Sequence, residues 1–568
     1  MKQILHKRMT LSTVIPPPEP ADVVDVAIVG AGPTGLMAAN LLGGYGLAVA
    51  VVEAGAELID FPRGVGMDDE TLRSFQSVGL SDEVLVHLVP NQRLVFVDKK
   101  WKTLAELAPP TDEFGWPRRN GFVQPLADRV LLEGLSRFPN VSVRWSSQLT
   151  SLAQDADGVD LTIEDPSGTR TLRARYVIGA DGGSSSVRRG LGFSFAGTSS
   201  AQNWLVVDLR NDPIGRPGSW VSADPRRPYV SISIPHGIRR FEFMLHDGEG
   251  EKDAEDDAFI ARLLAAHVPD ARYIDIIRRR VYTHHSRISE GFRKGRVFLA
   301  GDAAHVMPVW QGQGYNSAIR DASNLAWKLA MVLRGLANES ILDAYEQERR
   351  AHVTAMVNLS RTVGRMVSIR NRPLAALRDA FFKGISLLPA VKTYIVTMRF
   401  KPMPVMDRGV LTTTGSSSTP SPVGRMFIQP TVATRSQPAV RLDDAIGSWF
   451  GLIAWNNDPK AILDEDALAE LKRLGVRLLS ARPAGQLPWD GHGDDDVTVV
   501  GDVDGRLKRW FEQHEESVLL VRPDRIVGGA STAQESSRMV RDFVAMLGEP
   551  EPFTAPDQPA PESAGSVA

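Results

Sequence analysis

The chain has 568 residues, 65 of them Lys or Arg and 68 Asp or Glu, for a formal net charge of -3. That balance gives no electrostatic footprint for nucleic acid, and no basic run marks a membrane patch. There is no cysteine, which excludes disulfides, thiolate metal sites and thiol redox chemistry; the length is that of about two to four domains.

Residues 1–22 are polar and contain Pro16-Pro17-Pro18. They read as a flexible arm without the apolar core of a signal peptide. No apolar run is long enough to span a bilayer, so a cytoplasmic protein is expected. Val24 to Val29 predicts a short buried strand, Leu36 to Tyr45 a helix, and Ala48 to Val52 a second buried strand ending at Glu53; together they form a βαβ unit. Gln124 to Arg137 has the apolar spacing of a helix, and Val141 to Trp145, Gly158 to Ile163 and Thr171 to Ile178 predict strands of a small sheet. From Asn203 to about His246 alternation dominates, including Tyr229 to Ile234 and Arg240 to Leu245, and this block is expected to wall a pocket. The acidic stretch Glu249 to Asp257 reads as a solvated loop or helix start. Val297 to Ala300 predicts another buried strand, and Ser317 to Leu333 an amphipathic helix. Ser, Thr, Gly and Pro dominate 412–422, which reads as a linker. A compact unit over 423–547 follows, with strands at Phe450 to Ala454, Val476 to Leu479, Val497 to Val500 and Ser517 to Val521, and a last helix at Thr532 to Leu547. The tail, 548–568, is rich in Pro, Glu and Ala and is expected to be disordered.

Two glycine motifs carry the chemistry. The first, Gly30-Ala31-Gly32-Pro33-Thr34-Gly35, lies between a predicted strand and a predicted helix. There Gly30 permits a tight turn, Gly32 lets the backbone approach a pyrophosphate, and Gly35 lets helix and strand pack closely. The helix N-terminus offers free N–H groups to the phosphates. Glu53 ends the second strand, where an acid grips a ribose hydroxyl pair. The second, Gly301-Asp302-Ala303-Ala304-His305-Val306-Met307-Pro308, continues into Gln311-Gly312-Gln313-Gly314-Tyr315-Asn316. Asp302 follows a strand and could bind sugar or ribityl hydroxyls, and the turn at Gly312 starts a helix whose positive end faces whatever lies against it. Between the two, Gly179-Ala180-Asp181-Gly182 leads into Ser185, Val187 and Arg188; by itself it is an Asp-Gly turn. The pair His284-His285 has no third ligand at metal spacing, so no metal site is expected, and His305 is expected to be structural.

These three segments, in this order, resemble the class A, single-component flavoprotein aromatic hydroxylases of the phenol hydroxylase type. The string Met307 to Leu329, with Pro62 to Glu70 and Tyr282-Thr283-His284-His285, is similar to the subgroup that acts on 3-(3-hydroxyphenyl)propionate and 3-hydroxycinnamate. The resemblance covers about Val24 to Thr354 well and the remainder loosely. It implies an α/β fold: an FAD-binding, Rossmann-like domain of the glutathione-reductase type over 23–411, an interleaved β-sheet substrate domain at about 196–285, and a thioredoxin-like domain over 423–547. It implies FAD as cofactor, NADH as co-substrate, O2, and a phenolic acid as substrate, with no nucleic acid or membrane partner.

Residue by residue, the resemblance gives Gly30, Gly32, Pro33, Thr34, Gly35 and Glu53 to the adenosine diphosphate half of FAD. Arg63 would lie near the pyrophosphate and flavin, Gln124 near the ribityl chain, and Asp181 near FAD and the approaching nicotinamide. Asp302 would bind the ribityl hydroxyls. Pro308 would sit beside the isoalloxazine and substrate, and Gly314, Tyr315 and Asn316 at its pyrimidine edge. Catalytic residues are not assigned; Arg63, Pro308 and His285 are the pocket candidates, and Arg239, Arg240 and Arg287 are the candidates for the substrate carboxylate. Val309 stands where several relatives have a second proline. Val65 falls where phenol hydroxylases carry an aspartate. Without cysteine the C-terminal unit is expected to serve packing or assembly, including a homodimer. Two other readings share these motifs: a hydroxylase or epoxidase tailoring a polyketide-like aromatic, and a non-enzymic flavin-binding sensor. A halogenase would need a WxWxIP string that the chain lacks.

Overall fold

The computed structural model describes residues 23–549 except Pro62, Pro269, 271–273, 417–419 and 487–495. The arm expected over 1–22 and the tail from 550 lie outside the described residues. Four parallel strands form the heart of the first sheet, in the order Val297–Leu299, Gly168–Gly179, Val23–Val29, Val49–Val52, with Val141–Arg144 extending it. Strands covered on both faces carry continuous rather than alternating apolar residues, and Val26 to Val29 and Val49 to Val52 are all buried. The helix Pro33–Gly44 starts with proline in its first turn and packs against the long helix Gln313–Leu333. Both glycine motifs therefore end on neighbouring helices of one layer.

The second sheet runs His305–Val306, Asp275–Ser289, Phe195–Arg210, Ile238–Met244, Tyr229–Ile234, Ser219–Ser222, Leu94–Val97, Thr103–Leu107. Alternation sorts its faces: Phe241 and Phe243 pack in an apolar cluster with Leu205 and Val207 on one side, while Arg240 and Glu242 point to the other, along the cleft described below. The pair Leu94–Val97 and Thr103–Leu107 joins this sheet from well upstream of 196. Sequence periodicity gave no strand there, because the run is short and its partners are distant. The acidic stretch holds a short helix, Glu251–Glu255.

The third sheet, beyond 423, has Gly451–Trp455, Arg477–Pro483 and Val497–Asp502 parallel, and Val518–Val521 and Val527–Ser531 antiparallel. It is locked to the rest by buried charge. Arg522 donates to Glu348 (2.8 Å), which also accepts from Lys328 (2.8 Å), and neither Arg522, Glu348 nor Lys328 has exposed side-chain surface. Arg73 holds Asp443 through two bonds of 2.6 and 2.8 Å. Trp327 meets Phe450 edge-on. The segment expected as a linker begins inside this contact: Thr412 is buried and its N–H donates to the Gly528 carbonyl.

Candidate active site

A cleft of about 970 Å³ lies between the first two sheets and is lined by both glycine motifs. A second hollow of about 1000 Å³ lies away from them, near Arg293 and Arg350. Its polar lining is spent on surface ion pairs such as Arg293–Glu339 and Arg350–Glu346, so the first is the chemical candidate.

The glycine loop has the geometry its spacing predicts. Gly30 has φ +108°, and a Cβ there would lie 2.5 Å from the Ala180 carbonyl oxygen. A Cβ on Gly35 would lie 2.0 Å from the Gly30 carbonyl oxygen, which is the close helix–strand approach expected. A Cβ on Gly32 would meet nothing within 4 Å: the space before it is open to a ligand. Glu53 accepts from the Ala31 and Gly55 N–H groups, both at 2.7 Å, and lines the same space with Pro33 and Thr34. A nucleotide diphosphate fits this cradle, since open backbone, a helix N-terminus and a carboxylate converge there.

Asp181 lines the cleft, but its carboxylate is tied to the start of the helix Ser186–Gly190. It accepts from the Ser185 hydroxyl (2.5 Å) and from Ser186 and Val187 N–H (2.7 and 3.1 Å). Asp302 faces the cleft with accessible surface. The protein crowding around it pushes its carboxyl up, an effect that His305 and Arg63 oppose. His305 is fixed on Asp321 at 2.6 Å, as is the Gly301 N–H at 2.9 Å, so it anchors the segment. Pro308 is buried between two cleft-lining neighbours, Met307 and Val309. Gly312 has φ +64° and caps the helix that begins at Gln313. Gly314 and Tyr315 line the cleft.

Asn316 departs from the expectation. Its side chain accepts from Asp68 N–H (3.0 Å) and the Thr71 hydroxyl (2.8 Å) and donates to the Gly312 carbonyl (2.7 Å). It braces the turn and has no free polar atom for a ligand, because the Gly66 carbonyl takes its remaining N–H.

Gln124 accepts from Gly64 N–H (2.7 Å) and donates to Asp128 (3.1 Å). Asp128 also receives the Tyr315 hydroxyl at 3.3 Å, and burial pushes its carboxyl up to about 7. Sequence reasoning missed Asp128. The signal was its place four residues after Gln124 on a predicted helix, hence on the same face.

The sheet face opposite the flavin motifs forms the other wall. Register places Val206 beside Glu242 and Arg280, Trp204 beside Tyr282, and Asp208 beside Arg240 and Arg278. Val221, Val230 and Ile232 continue the wall as apolar surface. Tyr282 donates to Glu242 at 2.9 Å, and His284 Nε2 lies 3.3 Å from the Tyr282 oxygen. Burial raises the Glu242 carboxyl against the pull of Arg240 and Tyr282, and lowers His284 to about 4, which keeps it neutral. His284 also packs edge-on to Trp310, whereas His285 is bonded to Ser199 at 2.9 Å. Of the histidine pair, His284 is thus the one set among the wall's aromatics. Glu242 was not singled out from sequence, and Tyr282 and Trp310 entered only within the strings that carry the resemblance, without a site role; Arg240 and Glu242 alternating with two phenylalanines was the available signal.

Arg239 is corrected as a ligand candidate. It points to the other face, fully buried on Asp212 at 2.7 Å. Arg240 holds Asp208 through bonds of 2.8 and 3.0 Å. Arg287 donates to Ser199, and Arg63 faces the cleft, exposed. Arg278 stacks on Phe61 at 3.9 Å. Among the described residues one acidic trio, Asp68, Asp69 and Glu70, has metal-like spacing. Arg320, Lys401 and Arg118 occupy it, with Lys401 at 2.9 Å from Asp68 and 3.2 Å from Glu70 and Arg118 at 3.3 Å from Asp69, so the trio sits in a knot of three acids and three cations.

Comparison with known proteins agrees with this geometry. A family model described as an FAD binding domain matches residues 23–360, and one described as the HcaD C-terminal domain matches 424–546. A protein of Mycobacterium avium (strain 104) named 3-(3-hydroxy-phenyl)propionate/3-hydroxycinnamic acid hydroxylase is 54% identical over 96% of this chain and 97% of its own length. A protein of the same name from Paraburkholderia xenovorans (strain LB400) is 47% identical, over 92% and 91%. Among solved structures, the flavin-dependent monooxygenase PieE in complex with FAD and substrate superposes with a TM-score of 0.76 at 23% identity, covering 93% of this chain and 99% of that one. The OxyS anhydrotetracycline hydroxylase from Streptomyces rimosus gives 0.72 at 24%, covering 93% and 100%. Open glycine cradle, cleft and relatives converge: the chain belongs to the FAD-dependent aromatic hydroxylase family and is an FAD-binding monooxygenase.

Proposed function

We propose that the chain hydroxylates 3-(3-hydroxyphenyl)propionate and 3-hydroxycinnamate ortho to the phenol, giving 2,3-dihydroxy products with NADH and O2. The chemistry that FAD supplies when bound is acceptance of hydride from NADH and activation of O2 for transfer of one oxygen atom to an electron-rich ring. Glu53 and the loop from Gly30 to Gly35 hold its adenosine half. Asp302, Gln124 and the helix starting at Gln313 serve its ribityl and flavin parts. NADH docks transiently, since the chain carries one dinucleotide fingerprint.

The observation that carries the substrate assignment is the sheet face. Val221, Val230 and Ile232 offer an apolar bed for the ring, Tyr282 and Glu242 a hydrogen-bonding group for the phenol, and Arg278 and Arg280 cations for the side-chain carboxylate. The walls exclude water, so oxygen goes to the ring rather than to peroxide. The chain is read as an FAD-binding domain of the glutathione-reductase type, an interleaved substrate sheet, and a thioredoxin-like unit whose order of parallel and antiparallel strands suits that fold; lacking cysteine, it serves packing.

The test is NADH oxidation with each acid, with product identified by mass spectrometry. The expected outcome is a catechol from both, and from 3-phenylpropionate only peroxide, because its ring lacks the activating hydroxyl. Indifference to both acids would move the assignment to a polyketide-type aromatic.

A further inference from the structure

Two helices carry almost no core. Of Arg372–Ile385 only Ala375 and Arg378 are buried, and of Pro389–Val396 nothing is. Scattered exposed apolar side chains are ordinary on a protein surface, but a cluster is not. Six of the fourteen exposed large apolar side chains among the described residues fall between 374 and 394: Leu374, Leu377, Phe381, Leu387, Leu388 and Tyr394. The first three are three and four residues apart and so share one stripe of their helix. Leu387, 81% exposed, and Leu388 stand at the turn between the helices. The pair is not a loose appendage. Arg378 donates to the carbonyls of Ala223 (2.6 Å) and Met366 (3.0 Å), and the Ala108 N–H donates to the Val396 carbonyl (3.1 Å). Ile395, Met398 and Phe400 pack into the apolar cluster that holds Trp204 and Trp310. The helices are thus fastened beside the substrate wall, with their apolar stripe turned to solvent.

Charge decides what covers this surface. Residues 361–400 hold eight Arg or Lys and one acid, Asp379, a surplus of seven positive charges in a chain whose total is -3. Asp379 is taken by Arg378. Arg365, Arg372, Lys392 and Arg399 are exposed and have no ion pair among the described residues. The cations stand singly among apolar residues, so no basic run marks them in the sequence. A second copy bound through this face by two-fold symmetry would bring the same positive surplus from both sides. A surface of anionic lipid satisfies both features at once: apolar side chains enter the boundary of the acyl chains while the cations meet the headgroups. We propose that the helices Arg372–Ile385 and Pro389–Val396 dock the protein reversibly on an anionic lipid surface, with Phe381, Leu387 and Leu388 inserted. This departs from the expectation of no membrane partner, and it is independent of which aromatic acid is hydroxylated. Among the described residues no helix is long and apolar enough to cross a bilayer, so the contact is peripheral.

The test is co-sedimentation of the FAD-loaded full chain with vesicles, made either of equal parts phosphatidylglycerol and phosphatidylcholine or of phosphatidylcholine alone. Light scattering gives the oligomeric state in parallel. Wild type is compared with two double variants, Phe381→Glu with Leu387→Glu and Arg372→Gln with Lys392→Gln. All four positions lie outside the cleft, so FAD content and NADH oxidation without vesicles should be unchanged. Wild type should bind the mixed vesicles about tenfold or more tighter than the neutral ones, and should lose that preference as salt rises from about 0.05 to about 0.5 M. The Phe381→Glu, Leu387→Glu variant should lose about tenfold or more in affinity. The Arg372→Gln, Lys392→Gln variant should lose about fivefold for each cation removed, and it carries the test if the first variant does not fold. Binding to neither vesicle, or binding that neither variant weakens, overturns the proposal. A dimer that the Phe381→Glu, Leu387→Glu variant dissolves overturns it as well, because a second copy then covers the face.

Discussion

Buried charge appears in two regions of this molecule with opposite bookkeeping. At the junction with the C-terminal sheet every buried carboxylate has its cation: Glu348 sits between Arg522 and Lys328, and Asp443 between Arg73 and Arg525. In the cleft, Asp128 accepts only from neutral donors, Asp302 points into open space, and Glu242 is nearest to Arg240 at 3.9 Å. The pKa directions follow. Glu348 and Asp443 are held below the ordinary carboxylate range, because their cations outweigh burial. Asp128 and Glu242 are pushed above it because burial outweighs any cation near them, and Asp302 because the protein crowded around it outweighs His305 and Arg63. Matched charge builds structure here, whereas the carboxyls of the cleft are held above their ordinary range, as is common where chemistry happens.

Breaking the matched side should cost the most. Glu348→Gln leaves Lys328 buried against a neutral amide and Arg522 with Asp524 as its one carboxylate, and the expected loss is about 3–5 kcal/mol of folding stability, read as a large drop in the denaturant midpoint. A loss under 1 kcal/mol would mean that the junction is solvated in solution. On the cleft side the same size of change should spare the fold and strike the ligand. Gly32→Val meets open space, so the denaturation midpoint of the apoprotein should stay near wild type while FAD affinity falls at least tenfold, about 1.4 kcal/mol. Gly30 and Gly35 offer no such separation, since a Cβ there strikes backbone.

A pH-dependent effect sharpens the contrast. Asp128 keeps its proton up to about pH 7 in the folded protein, whereas its ordinary value is 3.8. Its favourable contribution is therefore complete below about pH 4 and is lost as pH rises toward 7, leaving a cost above that. Asp128→Asn should match wild type near pH 4 and gain on it steadily as pH rises toward 7, by at most about 4 kcal/mol at pH 8. Equal pH dependence in the two apoproteins would show that Asp128 is ionised throughout.

The sequence made the flavin half of the site legible and left most of the substrate half dark. Gly30, Gly32, Gly35 and Glu53 follow a linear motif with a mechanism at each position, and the structure puts them together. Strands such as Tyr229–Ile234 were read to the residue because alternation is a local signal. Glu242 and Tyr282 belong to strands 40 residues apart, joined only through the strand between them, and no local pattern encodes that meeting. Asn316 was misplaced for a related reason: a motif position says which residue is present, and only packing says which way it faces.

Register in the second sheet has a consequence for how such a site can change over generations. Trp204, Val206 and Asp208 share the sheet face that walls the cleft because they alternate, and each is aligned with its neighbours on both flanking strands. Substitution at any of them alters the pocket locally. Insertion of one residue between them would turn the whole row inside out, sending Leu205 and Val207 into the cleft. The irregularities between Ser199 and Asn203 and between Asp208 and Leu209 bracket this stretch and are the places where added length can be absorbed. Substrate preference in this scaffold is thus free to drift by replacement, while changes of length are confined to the ends of the row.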